Sequence, residues 1–319
     1  MRRGFFIVGP TATGKSELGA DVAHEIGAEI VSADAFQIYR GLDLLSAKPD
    51  ASTLAKAPHH LIGTTPLHEE MNAEKFRRLA LRAIEEINSR AKLAIVVGGS
   101  GLYIKALTHG LAPLPPSDPT LREKLNAMTL DDLRSQLIEL DPEMAGKIDV
   151  KNRRRLVRAL EICLLTGRPA SEVVAGEGGV AEGVGLGNLG GVSPRPAPSA
   201  TGVFVFRDRQ ELYARINQRV EAMFENGVIE EVRARGATSV TASQMIGLRE
   251  IRELLEGKMS LLQGIAQIQQ ETRRYAKRQL TWFRRQTNFS PLNLSLLSHN
   301  EAVKWILLRM LSGVRTRDD

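Results

Sequence analysis

Cysteine is almost missing from this chain: 319 residues contain one, Cys163. A single thiol excludes a disulfide framework and a cysteine-type zinc site, and it points to a reducing compartment, the cytoplasm. Cys163 lies in the apolar run Leu160-Glu161-Ile162-Cys163-Leu164-Leu165, where a small core residue is expected rather than a nucleophile. Aromatic residues are also scarce, at 5%. No apolar stretch approaches the ~20 residues of a bilayer crossing, so no membrane association is expected. Phe5–Val8, behind Met1-Arg2-Arg3, is too short for the core of a secretory leader. Hydrophobic residues at 43% and charged residues at 25% are ordinary for a globular protein. The net charge of +6 favours a polyanionic partner, although an enzyme binding only a small phosphate could carry the same sign.

What is present begins at Gly9-Pro10-Thr11-Ala12-Thr13-Gly14-Lys15-Ser16, directly after the apolar run Phe5–Val8. This is a complete phosphate-loop motif between a strand and a helix. Its glycines let the backbone curl around an anion, and the free N–H groups of the following helix point at it. Lys15 adds a mobile positive charge, and the Ser16 hydroxyl suits a Mg²⁺. A pyrophosphate-bearing ligand follows.

Strands are expected at Phe5–Val8, Glu29–Ser32, Leu93–Val97 and Val203–Phe206, with helices at Lys15–Gly27 and Ala73–Arg90. Apolar strands alternating with helices predict an α/β fold, a parallel sheet flanked by helices. Residues 114–175 read as an all-α insertion after Leu114-Pro115-Pro116. Residues 176–200, rich in glycine and proline, read as a flexible connector. The core is therefore assigned to 1–113 and 201–319, with a helical C-terminal region.

Asp34 follows the second strand. It reads as a general base facing the phosphate loop, or as a plain turn aspartate. The third strand ends in Gly98-Gly99-Ser100-Gly101 without a carboxylate, which argues against a motor or switch NTPase. These glycines would let backbone approach a ligand, or simply make a turn. His59-His60 has no metal-ligand spacing and reads as a loop pair packing locally. The segment Arg273–Arg285 holds six cations and no acid, and on a helix Arg273, Lys277 and Arg284 fall within about 40° of one another. With Arg274, Arg278 and Arg285 beside them, and Arg153–Arg155 with Arg158 elsewhere, this pattern fits an elongated phosphate backbone.

Seven segments then stand in one order: GPTATGKS, SADAFQIYRGLDLLSAKP, PHHLI, VVGGSGLYIKAL, RRLVRALEICLLTGRP, QMIGLREI and TRRYAKRQLTWFRR. On them the chain closely resembles the bacterial tRNA dimethylallyltransferases. The resemblance implies transfer of a dimethylallyl group from dimethylallyl diphosphate to N6 of adenosine 37 of tRNA, with Mg²⁺ as cofactor. It implies catalytic roles for Asp34, Lys15 and Ser16, with the diphosphate on Gly9, Pro10, Thr11, Ala12, Thr13, Gly14, Lys15 and Ser16. By the same resemblance, the tRNA anticodon stem-loop meets Asp34, Ala35, Phe36, Gln37, Ser100, Arg122, Arg154, Arg155, Arg158, Gln244, Gly247, Arg249, Arg274, Lys277 and Arg278. Gln37 and Ser100 are the expected readers of base edges, and a monomer is expected. Ala35 departs from the family's usual serine, and Ser16 and Ser100 stand where threonine is frequent. An adenylate prenyltransferase acting on AMP or ATP, and a small-molecule P-loop kinase, are the competing readings.

Overall fold

The computed structural model describes residues 4–111, 114–176, 201–286 and 288–315. The proposed connector at 176–200 therefore lies, beyond Gly176, outside the described residues. In chain order the elements are β1 (Gly4–Val8), α1 (Lys15–Ile26), β2 (Glu29–Ser32), α2 (Ala51–Ala55), β3 (His59–His60), α3 (Ala73–Ser89), β4 (Ala94–Gly98) and α4 (Gly101–Thr108). There follow α5 (Pro119–Ala127), α6 (Leu130–Leu140), α7 (Pro142–Lys147), α8 (Arg153–Thr166) and α9 (Ala170–Gly176). The rest is β5 (Thr201–Phe206), α10 (Arg209–Glu225), α11 (Val228–Arg233), α12 (Leu248–Leu255), α13 (Leu261–Phe283), β6 (Ser290–Asn293) and α14 (His299–Arg315).

The described residues fall into two compact units, one taking those up to Ile104 and from Thr201 onward, the other Lys105 to Gly176. The division falls within α4, earlier than the proline-marked 113/114 boundary read from sequence. Prolines mark where the chain turns, whereas packing partners decide where a unit ends.

The first unit is built on a six-stranded sheet in the order β3-β2-β4-β1-β5-β6, with every pair parallel. Its central strands β1, β2 and β4 are buried almost throughout, as continuous Phe/Ile/Val runs require when helices cover both faces. Parallel pairing brings the carboxyl ends of β1, β2 and β4 to one edge, the usual place for a ligand crevice. Helix α1 packs Leu18, Val22 and Ala23 into this core, but Ile26, expected on the same stripe, is 44% exposed. Each four-residue step drifts about 40° round a helix, so Ile26, the last residue of α1, stands well off the line of Leu18.

Two strands escaped the sequence. β3 is only His59-His60, too short to show alternation, and extends β2 at one edge rather than forming a loop. β6 contains Pro291, tolerated because β6 is the opposite edge strand.

The second unit has its own core, with Leu133, Leu137, Met144, Leu156, Leu160 and Ile162 fully buried and Cys163 among them. Proline stands in the first turn of α5 and α7, behind the N-caps Asp118 and Asp141.

Candidate functional site

Gly14 takes the left-handed conformation (φ 91°) and caps α1 without any side-chain hydrogen bond. The first N–H groups of that helix are thus left for an anion. Ala12 also has positive φ (64°), so the loop is bent at two points. Thr13 Oγ1 and Lys15 Nζ both donate to the Pro10 carbonyl, at 3.0 and 3.2 Å, folding the loop upon itself. At Gly9 the reason for glycine is packing: a Cβ would come within 2.1 Å of the Val205 carbonyl oxygen. Ser16 opens α1 beside Lys15, and its hydroxyl is of a type that could hold a Mg²⁺.

The positive charge here is concentrated by burial. Lys15 is buried, and desolvation pulls its ammonium down to about 8, against the opposing attraction of Asp34 and with help from Arg219. Arg219 is itself drawn down to about 10, chiefly by desolvation. Its Nη1 donates to Thr11 Oγ1 at 2.9 Å, while its Nε is buried without a partner among the described residues. An unpartnered guanidinium nitrogen costs free energy unless a ligand accepts from it. Two more arginines brace the loop: Arg207 Nε donates to the Thr13 carbonyl and Arg215 Nε to the Ala12 carbonyl, both at 2.9 Å. Arg207, Arg215 and Arg219 were not singled out from sequence. The last two sit four apart on α10 and so share one face of that helix, but nothing local in the sequence shows that this face meets the loop.

The strand ends are stitched together by backbone. Gly9 N–H donates to the Gly98 carbonyl (3.2 Å), Ala33 N–H to Val97 (2.8 Å), and Ser100 N–H back to Ala33 (3.3 Å). The glycines after β4 serve protein contacts: a Cβ on Gly98 would meet the Ala33 carbonyl at 2.2 Å, on Gly99 Gln279 Nε2 at 2.4 Å, and on Gly101 the Trp282 ring at 2.7 Å. Buried Gln279 ties both loops, donating to the Gly99 carbonyl (2.8 Å) and accepting from Thr11 N–H (2.9 Å).

Asp34 follows the end of β2, close enough to Lys15 and Arg219 to act on both charges. The turn reading is observed directly: Oδ1 accepts from the N–H groups of Phe36 (2.9 Å) and Gln37 (3.2 Å). Among the described residues the hydrogen bonds of the carboxylate go to that one oxygen, which leaves Oδ2 able to accept a proton. Tyr103 and Tyr275 lie in its field, and burial, reinforced by Asp34, pushes both phenols well above their usual range. The Gln37 amide is fixed at both ends, donating to the Ala47 carbonyl (2.9 Å) and accepting from Ser32 Oγ (3.4 Å). One donor and one acceptor position remain on it.

The basic positions divide sharply. In the second unit, Arg122 and Arg158 both grip Glu161, which is fully buried, and Arg153 closes the carbonyls of Asn126 and Met128 at the end of α5. Arg158 keeps 15% of its side chain exposed. Arg154 is exposed and Arg155 half-buried. On α13 the window free of acids was drawn two residues short: Glu271 pairs with Arg274 (2.6 Å), and Arg273 donates to Asn217 (2.8 Å). Lys277 and Arg278 are exposed and form no ion pair among the described residues, and Arg284 and Arg285 lie past the helix in a turn. Gln244 is exposed, Arg249 pairs with Glu250 (2.7 Å), and Gly247 (φ 94°) packs against Leu45.

Among the described residues, no helix is long and apolar enough to cross a membrane. Fold and site together define a phosphate-loop enzyme with a carboxylate after β2, which β4 separates from the β1 strand that leads into the loop. The chain belongs to the IPP transferase family, whose model matches residues 37–286. It is 44% identical over 279 residues to tRNA dimethylallyltransferase 1 of Citrifermentans bemidjiense, covering 86% of this chain and 87% of that one. It is 39% identical over 308 residues to the tRNA dimethylallyltransferase of Geobacter sulfurreducens, covering 94% and 90%. Its structure is similar to the full-length tRNA isopentenylpyrophosphate transferase of Bacillus halodurans, with a TM-score of 0.70, 31% identity and complete coverage of both chains. A eukaryotic dimethylallyltransferase acting on tRNA shares the fold at 24% identity, with a TM-score of 0.72 over 91% of this chain.

Proposed function

We propose that this protein transfers the dimethylallyl group of dimethylallyl diphosphate to N6 of adenosine 37 in the tRNA anticodon stem-loop. The observation that carries the reading is the pairing of the Lys15–Arg219 anion cradle with Asp34 across one sheet edge. The N6 lone pair forms a bond to the allylic carbon as the carbon–oxygen bond breaks, and that electron pair leaves on diphosphate. Loop N–H groups, Lys15 and Arg219 offset the growing negative charge, the kind of preorganised stabilisation that often dominates catalysis. The N6 proton passes to Asp34, a step typically worth about 10²–10⁴ in rate. Mg²⁺ held by Ser16 would supply further charge neutralisation on the leaving group.

To reach the crevice the adenosine leaves the base stack. Gln37 and Ser100 meet its edge in this reading. Lys277, Arg278, Arg154 and Arg155 serve as phosphate contacts, while Arg122 and Arg158 act chiefly by holding the second unit together. A cytoplasmic monomer is the form proposed.

Competition separates this from prenylation of free adenylate: with labelled donor and equal AMP and tRNA, tRNA takes the label. Preferential labelling of AMP would contradict the reading. ATP consumption without prenyl donor would support a kinase instead.

A further inference from the structure

Helix α11 is six residues long, yet one of its side chains reaches 188 positions back along the chain. The Glu231 carboxylate accepts from three consecutive backbone N–H groups: Asp43 (2.6 Å) and Leu44 (2.9 Å) on Oε1, and Leu45 (2.9 Å) on Oε2. Three converging N–H groups form an anion nest, and a carboxylate fills it because it only accepts. Two further contacts pin the same segment. Arg235 lies across Gly41 (φ 83°), where a Cβ would be 3.0 Å from its guanidinium carbon. Lys48, its side chain 7% exposed, donates to the Tyr39 carbonyl (2.6 Å) and pairs with Asp43.

The turn gripped by Glu231 continues to Ala47, held at positive φ (49°), whose carbonyl orients the Gln37 amide. Asp34 and Gln37 stand at the start of this segment. Two sets of hydrogen bonds thus stand on one short segment: Glu231 on the 43–45 amides, and the Ala47 carbonyl on Gln37.

We propose that Glu231 is a positioning residue for target-base recognition, fixing which edge the Gln37 amide presents. This rests on the functional reading above. A misplacement of about 1 Å can cost about 10²-fold in rate. Glu231→Ala is therefore expected to lower kcat/KM for tRNA by about 10–100-fold, with KM for dimethylallyl diphosphate unchanged. Glu231→Gln, which keeps the volume but turns a donor toward one N–H group, should fall between.

The decisive measurement is a double-mutant cycle with Gln37→Ala. If Glu231 acts through Gln37, Glu231→Ala costs less than about threefold once Gln37 is gone. Full additivity, or an equal loss for both substrates, would overturn the proposal. Amide exchange supplies a readout independent of turnover: Asp43, Leu44 and Leu45 should exchange faster in Glu231→Ala, with global unfolding little changed. Unchanged exchange there would overturn it as well. A wild-type protein that transfers no prenyl group would instead strike the functional reading, leaving the exchange result to stand alone.

Discussion

Lys15 links the chemistry to an observable that few residues offer. Its ammonium loses its proton near pH 8 in the unliganded protein, because burial outweighs the pull of Asp34. A bound diphosphate favours the charged form and raises that value. Affinity for dimethylallyl diphosphate should therefore be level just below pH 8 and fall as pH rises through about 8, by at most about tenfold per unit. Titrating binding from pH 7 to 10 checks this, and Lys15→Arg should flatten the curve in that range. At Asp34, replacement by alanine should cut turnover at least ~10²-fold while tRNA still binds. Near-normal turnover would make Asp34 only the turn residue its Oδ1 contacts also describe.

At the scale of elements, the loops of the site are held by side chains from α10 and α13 rather than by their own sequence. Gln279→Ala would leave Thr11 N–H and the Gly99 carbonyl without their partner, at about 1–3 kcal/mol for each group that stays buried. Chemical unfolding should register that loss, together with weaker diphosphate binding. A neutral result would mean the two loops hold themselves. The phosphate loop, Asp34 and four of six strands were legible because each depends on a local pattern: an apolar run, a glycine turn, a carboxylate just after a strand. The arginines of α10, the Gln279 bridge and Glu231 were not, since their partners lie some 180 to 270 positions away along the chain. The same limit hides the partner of two basic positions. Arg122 and Arg158 look free in sequence because Glu161 sits inside an apolar run, where an acid reads as an exception rather than as a partner.

For the molecule as a whole, stability should depend on acid through Glu29. This carboxylate is nearly buried, and although desolvation opposes ionisation, hydrogen bonds from His60, Lys92 and Arg90 bring it down to about 2. Its unfolded counterpart titrates near 4.5, so the contribution is present above that pH and is lost as pH falls toward 2. Urea midpoints measured between pH 6 and 3 should decline, and Glu29→Gln should flatten that part of the decline. On the basic face, Arg278→Ala should weaken tRNA binding across sequences and reduce the salt slope by about one. An unchanged slope would remove Arg278 from the phosphate contacts.

The most direct test of the central claim, one anion cradle serving transfer of carbon to an RNA amine, follows the label. Incubated with allyl-labelled dimethylallyl diphosphate, Mg²⁺ and unmodified tRNA, the protein should leave the label on N6 of the adenosine at position 37 and release unlabelled diphosphate. Label recovered as free prenyl alcohol, or on any other nucleotide, would contradict it.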